Sequence, residues 1–165
     1  MNMEQAIQSI HASLDKIVNA SQDLPEEALR WKPADDKWSV MEVLCHVEEA
    51  TPYWLDEIKR LVKAPGEEWG RGLQHEGRLA AVARAAEREK QEVLRYIIEG
   101  KKEVVEVLAG LTEDNLNCKS RSRNPRFGVR PLSFIIEHLL VEHLETHIKQ
   151  IERTIEKYIE TTQVK

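Results

Sequence analysis

The sequence predicts an all-α protein folded as a four-helix bundle. Apolar residues recur at three- and four-residue spacing in four long segments, and residues typical of helix starts and stops bound those segments. Alternating apolar runs between turn residues, which would indicate strands, are absent from the sequence. Four amphipathic helices bury their apolar faces most simply around one shared core.

The first two predicted helices have clear boundaries. The first covers about residues 4–22 and ends shortly before Pro25. The second begins at Ser39, where Ser39 and Glu42 form the pattern of a capping box, and it ends before residues 64–66. Pro52 lies within it and predicts a kink. Its apolar stripe contains His46 or its neighbour Val47.

The other two predicted helices are longer. The third covers about residues 78–109, with Gly100 marking a kink or a short break and Gly110 the stop. The fourth begins at Pro131, a residue suited to a first helical turn, and ends near Tyr158. Its apolar stripe includes His143 and His147, so both imidazoles should face the core.

Composition and charge restrict the class of protein. The 165 residues fit a single domain, 1–165, and 41% hydrophobic with 32% charged residues is ordinary for a soluble globular protein. A net charge of −5 argues against nucleic-acid binding. No signal peptide and no apolar stretch long enough to span a membrane is present, so we expect a cytoplasmic protein. The two cysteines form no CxxC pair.

Three histidines form the most informative pattern. One helical turn separates His143 from His147, so both rings can reach one ion, and Gln150 continues their face. His46, on another helix, is also expected to face the core. Buried imidazoles need partners, which a divalent metal ion would supply. The alternative is that the histidines pair with carboxylates and hold no metal. Glu145 points away from the ligand face, which excludes the HExxH arrangement of zincins.

Two stretches resemble the DinB/YfiT-like superfamily. Residues 38–47, WSVMEVLCHV, are similar to its WS-x-x-E-x-x-x-H motif, and residues 143–151 are similar to its H-x3-H-x2-Q-I motif. The resemblance implies an up-down-down-up four-helix bundle with a metal site at one end, often for zinc or nickel, and frequent homodimers. It makes His46, His143 and His147 the ligands. An acid often follows the first histidine by three residues, where Glu49 stands here.

Three neutral histidines leave coordination positions open, as in catalytic sites. The resemblance implies either a transferase that uses a low-molecular-weight thiol or a hydrolase. We therefore expect the metal to activate a thiol or water against a small electrophilic substrate, with Glu49 as a base or hydrogen-bond acceptor and Gln150 as a positioning residue. The alternative is a non-catalytic, dimerising metal-binding bundle whose site is closed by a side chain such as Glu49. Neither nucleic acid nor membrane is an expected partner.

The segment 119–130 carries five positive charges and no acid, and it precedes the last helix. One interpretation is a solvated loop, because like charges repel. The other is a clamp for substrate carboxylates built from Arg123, Arg126 and Arg130. Among the tryptophans, Trp69 is expected at a pocket mouth because its loop is rich in glycine, whereas the other three should pack within the bundle.

Overall fold

The structure is a computed structural model that describes residues 1–163. The helices are α1 (Met3–Gln22), α2 (Glu26–Arg30), α3 (Val40–Lys63), α4 (Glu76–Ala83), α5 (Lys90–Leu108), α6 (Glu113–Asn117), α7 (Leu132–Phe134) and α8 (His143–Gln163). A 3-10 turn (Ala85–Glu87) joins α4 to α5, and a π-helical segment (Ile135–Glu142) joins α7 to α8. Two short strands, β1 (Lys119–Arg121) and β2 (Val129–Pro131), pair antiparallel.

Four long helices form the bundle. The helix α5 packs against α1 and α3, and α8 packs against the same two helices from the other side. A continuous apolar core lies between them and includes Ile10 of α1, Leu44 of α3, Val104 of α5 and Ile151 of α8. The predicted four-helix bundle is therefore confirmed. Within residues 1–163, no helix combines the length and the apolar character needed to cross a membrane.

The helix that carries the first histidine starts as predicted. The Ser39 hydroxyl accepts a hydrogen bond from the Glu42 backbone N–H at 3.1 Å, and the Glu42 carboxylate accepts one from the Ser39 N–H at 2.8 Å. This capping box satisfies two backbone donors at the start of α3. It places His46 within the second turn of α3, on the buried face.

The prediction of one long helix over residues 78–109 is wrong. The chain forms α4, turns at Ala85–Glu87, and starts again at Lys90, whereas α5 passes through Gly100 without interruption. Arg30 of α2 explains why the break is tolerated. Its guanidinium donates to the backbone carbonyls of Ala85 at 2.9 Å and of Arg88 at 2.6 Å. The Ala85 carbonyl also accepts from the Arg88 N–H at 3.2 Å, so Arg30 adds a side-chain donor to the turn.

The sequence did not predict the β-hairpin that β1 and β2 form. Each strand has three residues, too few for a period-two pattern to be visible. Trp69 holds the hairpin to the bundle: its backbone N–H donates to the Arg121 carbonyl at 3.1 Å, and its indole N–H donates to the Ser120 carbonyl at 2.9 Å. Trp69 has no exposed surface and packs against Phe127. Its predicted position at a pocket mouth is therefore wrong.

The last helix is longer and less regular than predicted. It begins at Leu132, directly after Pro131, and extends past Tyr158 to Gln163. Between α7 and α8 the chain is π-helical over Ile135–Glu142, a wider helix that periodicity at 3.6 residues does not predict. His143 is the first residue of regular α-helix after this segment.

Candidate metal centre

Three histidines from two helices converge at one end of the core. Each of His46, His143 and His147 offers a ring nitrogen, and these three atoms lie within 4.8 Å of one another. The ring centroid of His46 is 5.5 Å from that of His143 and 4.8 Å from that of His147. Because α3 packs against α8, the capped start of α3 meets the first turn of α8. The structure thus brings together the three predicted ligands.

His46 is buried without any hydrogen-bond partner. Its side chain is 1% exposed, and among the described residues neither Nδ1 nor Nε2 finds a donor or an acceptor. The Trp38 ring lies on one side, with its centroid 5.2 Å from that of His46. A buried imidazole has one donor and one acceptor to satisfy, and leaving both unpaired is costly. A divalent ion held with His143 and His147 would give this ring a partner, so the donor set fits a metal.

A hydrogen bond to Gln150 orients the ring of His147. Its Nδ1–H donates to the Gln150 side-chain oxygen at 2.8 Å. The proton on Nδ1 leaves the lone pair of Nε2 free, and Nε2 lies 2.9 Å from His143 Nε2. The geometry suits the predicted positioning role of Gln150, in which a hydrogen bond to the far nitrogen orients a ligand ring. That role in metal binding stays a prediction.

All three imidazoles favour the neutral form that binds metal. Burial lowers the pKa of His46 to about 2 and that of His143 to about 4, and the neighbouring histidines lower both further. Burial also lowers the pKa of His147, against the opposing effect of its hydrogen bond to Gln150. Each ring is therefore neutral at neutral pH and has one nitrogen lone pair to offer an ion.

Two arginines near the histidines were not found by sequence reasoning. Arg71, in the loop before α4, donates to both carboxylate oxygens of Glu49, at 2.7 and 2.5 Å. Arg78 of α4 lowers the pKa of all three histidines through its charge. Both residues belong to the connection between α3 and α5, whose path no local pattern reveals.

Glu49 lies one turn beyond His46 on α3, and Arg71 binds both of its oxygens. Both carboxylate oxygens therefore already accept hydrogen bonds from Arg71, which suits the predicted role of Glu49 as a hydrogen-bond acceptor. A closing ligand or a free base would first have to release Arg71. The catalytic role of Glu49 stays a prediction.

The arginines of segment 119–130 contact other groups. Arg123 approaches Glu57 at 3.5 Å, Arg130 donates to the Phe127 carbonyl at 2.9 Å, and Arg126 lies over the Phe127 ring. Within residues 1–163, none of their hydrogen bonds or ion pairs involves a histidine of the centre. Their substrate-binding role stays a prediction, with no contact that favours it.

The remaining histidines lie outside the centre. His138 stacks on Phe134 and lies 3.4 Å from Glu142, partly exposed as its helical position predicted. His11 contacts the Lys101 carbonyl, and His75 caps α4 by accepting from the Gly77 N–H. Glu145 is exposed, as predicted.

Comparison with known proteins agrees with this geometry. The sequence model of the DinB superfamily matches residues 9–151, a range that contains all three histidines. The chain belongs to the DinB superfamily. The resemblance seen in the two sequence motifs is thereby confirmed. No curated protein matches this DinB-superfamily chain at significant similarity.

A solved structure shows the same fold. YfiT from Bacillus subtilis, described as "a probable metal-dependent hydrolase with an unusual four-helix bundle topology", is similar with a TM-score of 0.82. The two sequences are 15% identical, and the match covers 94% of this chain and 87% of YfiT. At this identity the likeness establishes the DinB-type bundle fold, and the site must be argued from the residues themselves.

Proposed function

We propose that this DinB-superfamily protein is a divalent-metal-dependent enzyme that activates a thiol or a water molecule against a small electrophilic substrate. The observation that carries the proposal is the pair of orphaned ring nitrogens of His46, buried within reach of His143 and His147. A fold that leaves an imidazole unpaired in its core gains stability when an ion occupies the site.

The donor set fits such an ion. Three neutral imidazoles suit zinc, nickel, copper or iron, and the superfamily resemblance makes zinc or nickel our choice. A set of three protein ligands leaves a position open, as catalytic sites require. When bound, a divalent ion lowers the pKa of a water molecule or a thiol enough to make it a nucleophile at neutral pH.

The side chains around the histidines have separate roles in this proposal. Gln150 holds His147 in the tautomer with a free Nε2, and Trp38 covers one side of His46. Glu49 orders Arg71 next to the centre and is available as a hydrogen-bond acceptor or, once released from Arg71, as a base. The description of YfiT as a metal-dependent hydrolase supports the use of water, and the superfamily resemblance supports a low-molecular-weight thiol.

Metal content is the first test. Protein purified without a histidine tag should contain about one equivalent of divalent metal per chain, and His46→Ala and His143→Ala should lose it. His138→Ala is the matched control, because His138 is a partly exposed histidine outside the centre and should leave metal content unchanged. Metal-free wild-type protein that fails to take up added zinc or nickel would contradict the proposal.

Turnover separates an enzyme from a binding protein. Metal-loaded wild type should react a model electrophile with a cellular thiol, or hydrolyse an activated ester, and His143→Ala should do neither above background. Equal rates for wild type and His143→Ala would refute the catalytic part. Stoichiometric metal without turnover of either substrate class would favour the alternative, a non-catalytic bundle. We further propose that the protein is a cytoplasmic homodimer. Sedimentation analysis would test the oligomeric state.

A further inference from the structure

The charges around the three histidines do not balance. Two guanidiniums, Arg71 and Arg78, and one carboxylate, Glu49, lie close enough to influence the rings or one another. Arg71 and Glu49 neutralise each other through two hydrogen bonds. The charge of Arg78 is left over, beside rings that are themselves uncharged. A bound divalent ion would add further positive charge.

Arg78 lacks an anionic partner. Within residues 1–163, the hydrogen bond of its guanidinium is to the Leu73 backbone carbonyl at 3.1 Å, and no carboxylate forms an ion pair with it. A guanidinium has five N–H donors, so most of its donors have no protein acceptor. Partial burial lowers its pKa and the charge of Arg71 acts in the same direction, whereas the charge of Glu49, which is bound to Arg71, opposes them. A partly buried cation of this kind is stabilised by an incoming anion.

Arg78 lies over the aromatic ring that contacts His46. Its guanidinium lies 5.3 Å from the centre of the Trp38 ring, and the same ring lies against His46. Trp38 thus lies against both Arg78 and His46, and most of the N–H donors of Arg78 remain available to a ligand near the centre.

We propose that Arg78 binds an oxyanion group, a carboxylate or a phosphate ester, of the small molecule that enters this centre. The proposal rests on the function proposed above and specifies its substrate class as anionic. A guanidinium presents two parallel N–H donors that match a carboxylate or a phosphate. The sequence suggested segment 119–130 as an anion-binding clamp. The present proposal assigns that role to Arg78, in the connection between α3 and α5.

Titration of metal-free protein tests the proposal without any ion. The indole N–H resonance of Trp38, assigned with Trp38→Phe, should shift saturably on addition of acetate or inorganic phosphate in separate titrations. Arg78→Gln should weaken the binding about tenfold, the usual effect of losing a charged hydrogen-bond pair. Arg78→Lys keeps the charge but loses the two parallel N–H donors, so its affinity should lie between those of wild type and Arg78→Gln. Far-UV circular dichroism checks that each variant is folded.

The matched control is Arg84→Gln. Arg84 is the exposed residue that follows α4, so the change removes the same charge from the end of the same helix, away from the rings. It should bind both anions as wild type does. Saturation by acetate alone or by phosphate alone would identify which oxyanion the residue selects. No saturable shift in wild type, or equal affinity of wild type and Arg78→Gln, would overturn the proposal.

A second arm separates this inference from the metal proposal. Cobalt is added to wild type and Arg78→Gln, and its visible spectrum is followed during the acetate titration. Cobalt binding without Arg78-dependent anion binding would refute the inference and leave the metal site intact. Anion binding that depends on Arg78, in protein that takes up no cobalt, would refute the metal site and leave the inference standing.

Discussion

Replacing His46 by leucine tests the metal centre through stability alone. The imidazole is 1% exposed and both of its nitrogens lack partners, whereas leucine is of similar size and has no polar atom to satisfy. Removing an unsatisfied buried polar group should stabilise the metal-free fold by about 1–3 kcal/mol. For a domain of this length, that corresponds to a rise in Tm of about 2–4 °C for each kcal/mol.

The same replacement should abolish stabilisation by metal. Zinc at a thousand times its dissociation constant should stabilise wild type by about 4.1 kcal/mol, because it binds the folded state. The His46→Leu variant has lost one of three ligands and should gain much less. Adding zinc should therefore reverse the order of stability of the two proteins.

Urea unfolding with chelator and with zinc measures both effects. His138→Leu serves as the control, since its ring lies outside the centre and zinc should stabilise that variant as strongly as wild type. The reasoning fails if His46→Leu is less stable than wild type in chelator by more than about 1 kcal/mol, a cost typical of lost packing. It also fails if zinc stabilises both proteins equally.

Three further predictions follow from the same contacts. Metal-free protein should lose stability as the pH falls below about 6.5, because the pKa of His46 and of His143 is lowered in the folded state and the unfolded chain binds more protons there. The free energy of unfolding should fall by about 1.4 kcal/mol per pH unit for each ring that stays neutral in the folded protein. Unfolding free energies that are flat from pH 7.5 to 4.5 would contradict this. Gln150→Leu removes the acceptor of the His147 Nδ1–H and should weaken metal binding about tenfold in a chelator competition, whereas Gln150→Glu should bind at least as tightly as wild type. Trp69→Ala should cost about 3–5 kcal/mol in urea unfolding because the ring is fully buried, with Trp69→Phe losing less; a cost below 1 kcal/mol would show that the hairpin junction is dispensable.

Local patterns explain why much of the fold could be read in advance. Helical periodicity and the capping box depend on residues three or four apart, so α1, α3 and α8 were recognisable along the chain. The break between α4 and α5 was not recognisable, because the contacts at the turn include Arg30, more than fifty residues away, which binds the carbonyls of Ala85 and Arg88. The hairpin depends in the same way on Trp69, whose partners lie in β1.

In the candidate site, too, the sequence determined the local features and the tertiary structure determined the long-range ones. The spacing of His143, His147 and Gln150 within one helix determined that they share a face, whereas the sequence left open whether His46 or Val47 lies on the buried stripe. Only the tertiary structure brought α3 against α8, so that three nitrogens lie within 4.8 Å, and led the α3–α5 connection back so that Arg71 and Arg78 lie beside them. Helix faces follow from short-range repetition, whereas the approach of distant segments follows from how the whole core packs.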